Sequence, residues 1–85
     1  MNETIRDNAR NEIKRVFKKL RIPIDSIHFD YMNSSYISFD VYTKGALYSE
    51  LEKIQGSGWK INHINPSDDY KVVINLYKRK EGVET

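Results

Sequence analysis

The sequence predicts a single α+β domain built from two successive helix–strand–strand units. Apolar residues recur every three or four positions in two segments, and they alternate with polar residues in four others. The first spacing places apolar side chains along one stripe of a helix, and the second places them on one face of a strand. The chain has 85 residues, the length of one domain with a small hydrophobic core.

The two helices are predicted over residues 3–21 and 44–55. The apolar stripe of the first comprises Ile5, Ala9, Ile13, Val16, Phe17 and Leu20. Pro23 is expected to end this helix, because proline disfavours helical geometry in the residue before it. Thr43 is expected to cap the second helix, and Gly56 suits the left-handed conformation that ends many helices. The apolar stripe of the second helix comprises Leu47, Tyr48, Leu51 and Ile54.

Two hairpins are predicted, over residues 24–43 and 58–79, and the tail at 81–85 is expected to be frayed. The residues expected to face the core alternate with polar ones and comprise Ile27, Phe29, Tyr31, Ile37, Phe39, Val41, Val72, Ile74 and Leu76. The third strand breaks this alternation between Ile61 and Ile64, which indicates a β-bulge.

Each predicted element has one apolar face, so the expected assembly lays both helices on one face of a four-stranded sheet. The element order is that of a ferredoxin-like sandwich whose first strand has moved to the end of the chain. In that circular permutation the second and fourth strands are central, and a simple 1-2-3-4 strand order is the alternative. The opposite face of the sheet is expected to stay uncovered.

Several function classes have no support in the sequence. The chain has no cysteine, and no apolar run approaches the roughly 20 residues that cross a bilayer. The segment Met1–Arg10 lacks the apolar stretch of a secretory signal, so we expect a cytoplasmic protein without a membrane partner. His28 and His63 lack the spacing of a metal site, and no nucleophile with a partnered base is identifiable. We therefore predict no metal, no cofactor and no catalytic residue, and expect no enzyme.

The uncovered face carries the principal candidate site. Its candidate residues are Tyr36, Tyr42, Tyr77, Lys71 and Arg79. RNA-recognition modules stack bases on aromatic rings at the centre of a four-stranded sheet, and cationic side chains hold the phosphates. Tyrosine is also an ordinary residue of half-buried strands, so the same pattern has a purely structural explanation.

The first helix contributes a second set of candidates, the basic residues Arg10, Lys14 and Lys18. Such a stripe can bind phosphates, although basic residues late in a helix also interact favourably with its dipole. Residues 1–21 carry seven Lys/Arg against three Asp/Glu, whereas residues 22–70 carry three against seven. The acidic middle therefore opposes nucleic-acid binding that the basic helix would favour.

We expect a non-enzymatic binding module that binds nucleic acid through the tyrosine-bearing face and the basic helix. The alternative is a protein-interaction module. It would form a homodimer, or act as a small inhibitor or accessory protein of a phage or other mobile element.

Overall fold

The computed structural model describes residues 2–66 and 71–83. Within these residues the chain forms two α-helices and four β-strands, followed by a short 3₁₀ turn at Lys80–Gly82. The helices and strands are α1 (Asn2–Lys19), β1 (Ser26–Met32), β2 (Tyr36–Thr43), α2 (Tyr48–Gly56), β3 (Lys60–Pro66) and β4 (Val72–Arg79). This order confirms the two predicted helix–strand–strand units. The turn of the predicted hairpin at 58–79 lies largely outside the described residues.

The four strands form one antiparallel sheet in the order β1-β2-β4-β3. The second and fourth strands are therefore central, as in the circularly permuted ferredoxin-like arrangement, and the alternative 1-2-3-4 order is wrong. The central pair runs in register from Tyr36 opposite Arg79 to Thr43 opposite Val72.

One hydrophobic core joins both helices to the same face of the sheet. Its buried members are Ala9, Ile13, Phe17, Ile22, Ile37, Phe39, Val41, Ile54, Trp59, Ile74, Leu76 and Val83. Most of them come from the two helices and from alternate positions of β2 and β4, which confirms that the helices cover one face. The other face has no helix over it within the described part of the chain, and we call it the uncovered face.

A buried polar contact ties α1 to the sheet. Trp59 is fully buried, and its indole Nε1–H donates a hydrogen bond to Glu12 Oε1 over 3.1 Å. The ammonium group of Lys78, on β4, donates to the same carboxylate oxygen. Glu12 is 7% exposed, so this carboxylate satisfies two groups that have little access to water. Trp59 is therefore a core residue whose indole nitrogen has a hydrogen-bond partner.

The first helix ends at Lys19, before Pro23, and Arg21 beyond it has the left-handed conformation. Arg21 has φ of 60°, the Arg21 N–H donates to the Lys18 carbonyl, and the Ile22 N–H donates to the Phe17 carbonyl. These two bonds form a Schellman motif, which satisfies carbonyls at the end of a helix. The helix thus ends before Pro23, as predicted, but at Lys19 and through this motif, two residues before the predicted bound at residue 21.

The second helix begins four residues later than predicted. Thr43 is buried at the end of β2, and the Glu50 carboxylate accepts a hydrogen bond from the Leu47 N–H over 2.7 Å. Leu47 and Tyr48 are 70% and 77% exposed, so they do not belong to the apolar stripe. Ile54 is buried and Leu51 is half-buried, as predicted.

The segments after α2 and β4 also differ from expectation. The left-handed conformation lies at Gly58, with φ of 105°, and not at Gly56, which is the last residue of the helix. At the other end, Val83 is 8% exposed and packs in the core, although the tail was expected to fray from residue 81. The last two residues lie outside the described part.

Candidate functional site

The pairing registers arrange the uncovered face in four rows that cross the strands. From the end beside the 3₁₀ turn, the rows are Tyr36 and Arg79; Tyr31, Ser38, Tyr77 and Lys60; His28, Asp40, Asn75 and His63; and Ser26, Tyr42, Val73 and Asn65. Neighbours within a row stand about 4.8 Å apart, and successive rows about 7 Å apart. These spacings determine which side chains can act together.

A β-bulge in β3 adds one polar residue to this face. Ile61 lies opposite Leu76 and His63 lies opposite Asn75, so Asn62 is the extra residue. The bulge confirms the prediction made from the broken alternation. Because of it, Ile64 returns to the core-facing register opposite Ile74, although it stays 41% exposed at the sheet edge.

A second β-bulge, in β1, was not predicted. Phe29 lies opposite Phe39 and Tyr31 lies opposite Ser38, so Asp30 is the extra residue. The bulge turns Tyr31 from its predicted position on the core face to the uncovered face, where it is 48% exposed. The available signal was the spacing of three from Phe29 to Met32, which equals the spacing from Ile61 to Ile64.

The structure brings together three of the candidate residues on the uncovered face. The rings of Tyr36 and Tyr77 meet edge to face, with centroids 5.8 Å apart, on the two central strands. Arg79 Nη1 donates a hydrogen bond to the Tyr36 hydroxyl over 3.3 Å, and Arg79 Nε donates to Glu81. The hydrogen bond to Glu81 and the charge interaction with Tyr36 raise the pKa of Arg79, so its guanidinium stays charged.

A groove of about 390 Å³ runs beside this tyrosine pair. Besides Tyr36, Tyr77 and Arg79, it is lined by Gly58, Lys60, Lys78 and Gly82. Lys78 is engaged by Glu12, whereas Lys60 has no carboxylate within ion-pair distance among the described residues. Lys60 was missed in the sequence, although its place between the core-facing residues Trp59 and Ile61 was a signal that puts it on the uncovered face.

Tyr42 and Lys71 lie at the opposite end of the uncovered face. Tyr42 occupies the fourth row and makes an edge contact with His28, with ring centroids 5.1 Å apart. It is six residues from Tyr36 on the same strand, or about 20 Å. The Lys71 ammonium is 3.6 Å from the Asp25 carboxylate. These two candidates therefore do not join the Tyr36–Tyr77 pair.

The candidate residues of α1 lie on the other side of the sheet. The guanidinium of Arg10 is 5.7 Å from the ring centroid of Phe39, a core-facing residue of β2. Lys14 lines a separate groove with Arg10 and the chain at the start of β1, and Lys18 is exposed near the helix end. The sheet itself separates this basic stripe from the tyrosines, so the two sets do not form one continuous site.

A polar network occupies the centre of the uncovered face. Asn75 is 2% exposed, and its Nδ2 donates to Asp40 Oδ1 over 2.8 Å and to Asp30 Oδ2 over 3.0 Å. Ser38 is fully buried and donates to the same Asp30 oxygen over 3.0 Å. Asn62 Nδ2 donates to Asn75 Oδ1 over 3.2 Å. Both bulge residues, Asp30 and Asn62, therefore contribute side chains to this network.

A small pocket of about 160 Å³ lies over this network. It is lined by Tyr31, Tyr36, Ser38, Asn62, Asn75 and Tyr77. Among the described residues no lysine or arginine pairs with Asp30 or Asp40. These two carboxylates therefore place negative charge at the base of the pocket without a neighbouring cation. The uncovered face is thus basic and aromatic at one end and acidic at its centre.

The described residues contain no group of three or more His, Cys, Asp or Glu side chains that could hold a metal ion. His28 and His63 stand at opposite edges of the third row, about 14 Å apart. In residues 2–66 and 71–83 no helix is long and apolar enough to cross a membrane. Comparisons of the chain with protein-family models, with curated proteins and with solved structures found no match.

Proposed function

We propose that this chain is a non-enzymatic module that binds single-stranded nucleic acid at the Tyr36–Tyr77 end of the uncovered face. The observation that supports the proposal is the half-buried tyrosine pair on the two central strands, beside a groove that contains Lys60 and Arg79. Tyrosine rings offer stacking surfaces for bases, and each stacked base contributes about 1–3 kcal/mol to binding.

The charges around the pair favour a definite path for the bound strand. Lys60 stands next to Tyr77 in the second row, and Arg79 stands next to Tyr36 in the first. Phosphates would follow these two cations, with Glu81 displaced from Arg79, because Asp30 and Asp40 repel them from the centre of the face. The strand therefore crosses the β-strands along the first two rows, with its bases directed onto the tyrosines.

Fluorescence anisotropy with labelled single-stranded RNA and DNA of about ten nucleotides tests this proposal. Replacing Tyr36 and Tyr77 together by alanine should weaken binding at least tenfold. Tyr42→Ala is the matched control, because Tyr42 is on the same face but about 20 Å away. The proposal would be refuted if Tyr42→Ala weakened binding as much as the double variant does, or if the double variant bound with unchanged affinity.

The salt dependence of binding tests the role of Lys60. Between about 50 mM and 200 mM salt the affinity should fall, because the release of condensed counterions on binding becomes less favourable as the salt concentration rises. Lys60→Ala should lower the slope of log affinity against log salt by about 1, because one phosphate contact is lost. The paired Lys71, held by Asp25, is the matched control, and Lys71→Ala should leave the slope unchanged.

The second candidate is a protein-interaction module, here a homodimer. The adjacent side chains of Leu47 and Tyr48 are 70% and 77% exposed at the start of α2, and contiguous exposed apolar surface is a feature of protein interaction sites. Sedimentation velocity would show a dimer that dissociates when both residues are replaced by serine. A monomer at all concentrations would exclude this candidate.

A further inference from the structure

We propose that the 160 Å³ pocket at the centre of the uncovered face binds an organic cation, specifically a trimethylammonium group. This site goes beyond the proposed function and stands without it, since it is built around Ser38 and not along the basic groove. Three tyrosines line the pocket, and the two carboxylates at its base have no cationic partner among the described residues. Aromatic rings and negative charge together are the surroundings that organic cations prefer.

The strand registers surround Ser38 with a large side chain on each of three sides. Tyr31 lies opposite Ser38 on β1, and Tyr77 lies opposite it on β4. Tyr36 precedes Ser38 by two residues on β2, so it stands on the same face about 7 Å away. On the fourth side, Asp40 follows Ser38 at the same spacing. A small residue thus lies among three tyrosines and one aspartate, and this difference in size creates the pocket.

The rings around the pocket can attract a cation, because the face of an aromatic ring carries partial negative charge. The planes of Tyr36 and Tyr77 meet at 71°, so the edge of one ring stands against the face of the other. The corner between two rings in this arrangement is bounded by a face of each. The guanidinium carbon of Arg79 is 5.4 Å from the Tyr36 centroid, and Arg79 lines the groove but not the pocket. Tyr31, which is 48% exposed, supplies the third ring from the opposite side of Ser38.

The charges around the pocket also favour a cation. Among the described residues no lysine or arginine lines it. Asp40 is half-buried and Asp30 is exposed, and the hydrogen bonds that they accept within the network leave both carboxylates charged. Of the two cations in the neighbouring groove, Arg79 is paired with Glu81, which leaves Lys60. Two carboxylates therefore oppose one unpaired cation, and the local balance is negative.

The floor of the pocket favours a methylated cation over one that must donate hydrogen bonds. Ser38 is fully buried and Asn75 is 2% exposed, and their polar atoms already bond within the network. A primary ammonium has three N–H donors, which would lose water there without gaining these acceptors. A trimethylammonium group has no N–H and contacts ring faces through its methyl groups. It is about 6 Å across, or about 110 Å³, and a pocket of about 160 Å³ accommodates it.

An NMR titration with tetramethylammonium chloride tests the site, with sodium chloride exchanged for it at constant ionic strength. Saturable shifts are expected at the Tyr31 and Ser38 backbone amides and at the Asn62 side-chain amide, all of which belong to pocket residues. Choline should then bind at least about tenfold more tightly than 3,3-dimethyl-1-butanol, its uncharged isostere. The site is overturned if no shift saturates up to about 50 mM, or if choline and the isostere bind equally.

Two substitutions of Tyr31 separate the aromatic face from simple apolar contact. Tyr31→Phe keeps the ring and should bind choline within about twofold of the unaltered chain, whereas Tyr31→Leu should weaken binding at least about fivefold. Tyr42→Leu, on the same face but outside the pocket, is the matched control and should bind choline normally. Unchanged binding by Tyr31→Leu, or equal weakening by Tyr31→Phe and Tyr31→Leu, would contradict the proposal.

The outcomes for choline and for nucleic acid are separable. Tyr31 does not line the basic groove, so Tyr31→Leu should leave the affinity for oligonucleotides unchanged. If choline binds and no oligonucleotide does, the proposed function fails and the cation site stands; the reverse result overturns the cation site alone.

A comparison of choline with a short peptide that contains trimethyllysine identifies the source of the cation. Tighter binding of the peptide indicates a methylated protein, tighter binding of choline indicates a small molecule, and either result supports the site. The same peptide with unmodified lysine should bind more weakly, because its ammonium is strongly hydrated. Equal binding of the two peptides would overturn the preference for a methylated group.

Discussion

Replacement of Glu12 by alanine is expected to destabilise the fold strongly, because one carboxylate serves two groups of low exposure. Loss of the Glu12 acceptor leaves the fully buried Trp59 N–H unsatisfied, which costs about 1–3 kcal/mol. The Lys78 side chain is 15% exposed and loses its counter-charge. Breaking a buried ion pair costs about 3–5 kcal/mol, but Lys78 can move toward water, so about 1–2 kcal/mol is the appropriate share.

The expected total is therefore about 3 kcal/mol. A chain of this length has an unfolding free energy of about 4–13 kcal/mol, so the substitution removes a large fraction of it. Urea unfolding followed by the fluorescence of Trp59, the single tryptophan, measures the loss. With a slope of about 1 kcal/mol per molar urea, the midpoint should fall by about 3 M.

Two further variants test the cause of the loss. Adding Lys78→Met to Glu12→Ala removes the stranded ammonium and should recover about 1–2 kcal/mol. Glu52→Ala, an exposed glutamate on α2, is the matched control and should change stability by less than about 0.5 kcal/mol. The reasoning is refuted if Glu12→Ala costs less than about 1 kcal/mol, or if the double variant is less stable than the single one.

Four other substitutions should change the free energy of unfolding in predictable directions, each measured by urea or thermal unfolding. Gly58→Ala should destabilise the fold by about 1–2 kcal/mol, because Gly58 has a positive φ. Gly56→Ala should stabilise the fold by about 0.4–1 kcal/mol, because the added Cβ meets no atom and alanine restricts the unfolded chain. Arg21→Gly should stabilise by about 1 kcal/mol, since glycine adopts the left-handed conformation without strain. Asn75→Ala should cost about 2 kcal/mol, because Asp30 and Asp40 lose their shared donor; an unchanged midpoint in any of these variants would contradict its argument.

The fold could be predicted from the sequence to the level of its elements and their layers, whereas the strand order was left open between two alternatives. Apolar residues recur on the side of each element that faces the core. Phe17, Phe39 and Ile74, which were placed on that side from their spacing, are buried in the core. This relation fails where the backbone leaves the regular repeat. The spacing of Leu47 and Tyr48 suits a helix stripe, yet both precede or begin α2 and remain exposed, because helix boundaries depend on capping contacts such as that of Glu50.

The candidate site could be predicted only in part. Tyr36, Tyr77 and Arg79 follow regular alternation on the two central strands, and they do lie together. Tyr31 and Asn62 were not foreseen at the pocket because each depends on an extra residue in an edge strand, and that extra residue reverses the facing of the residues after it. The basic helix was grouped with the tyrosines on charge alone, a property that carries no information about which side of the sheet it occupies.

The two bulges also affect how copies of this chain can meet. The outer strands of an open sheet expose unpaired backbone groups, which can template the addition of strands from other molecules and lead to fibrous aggregates. Here Asp30 and Asn62 each interrupt the regular backbone repeat near the middle of an outer strand. An incoming strand would lose register at that point and could not pair along the full length. The two bulges that contribute Asp30 and Asn62 to the uncovered face therefore also disfavour the pairing of β1 or β3 with an edge strand of another molecule.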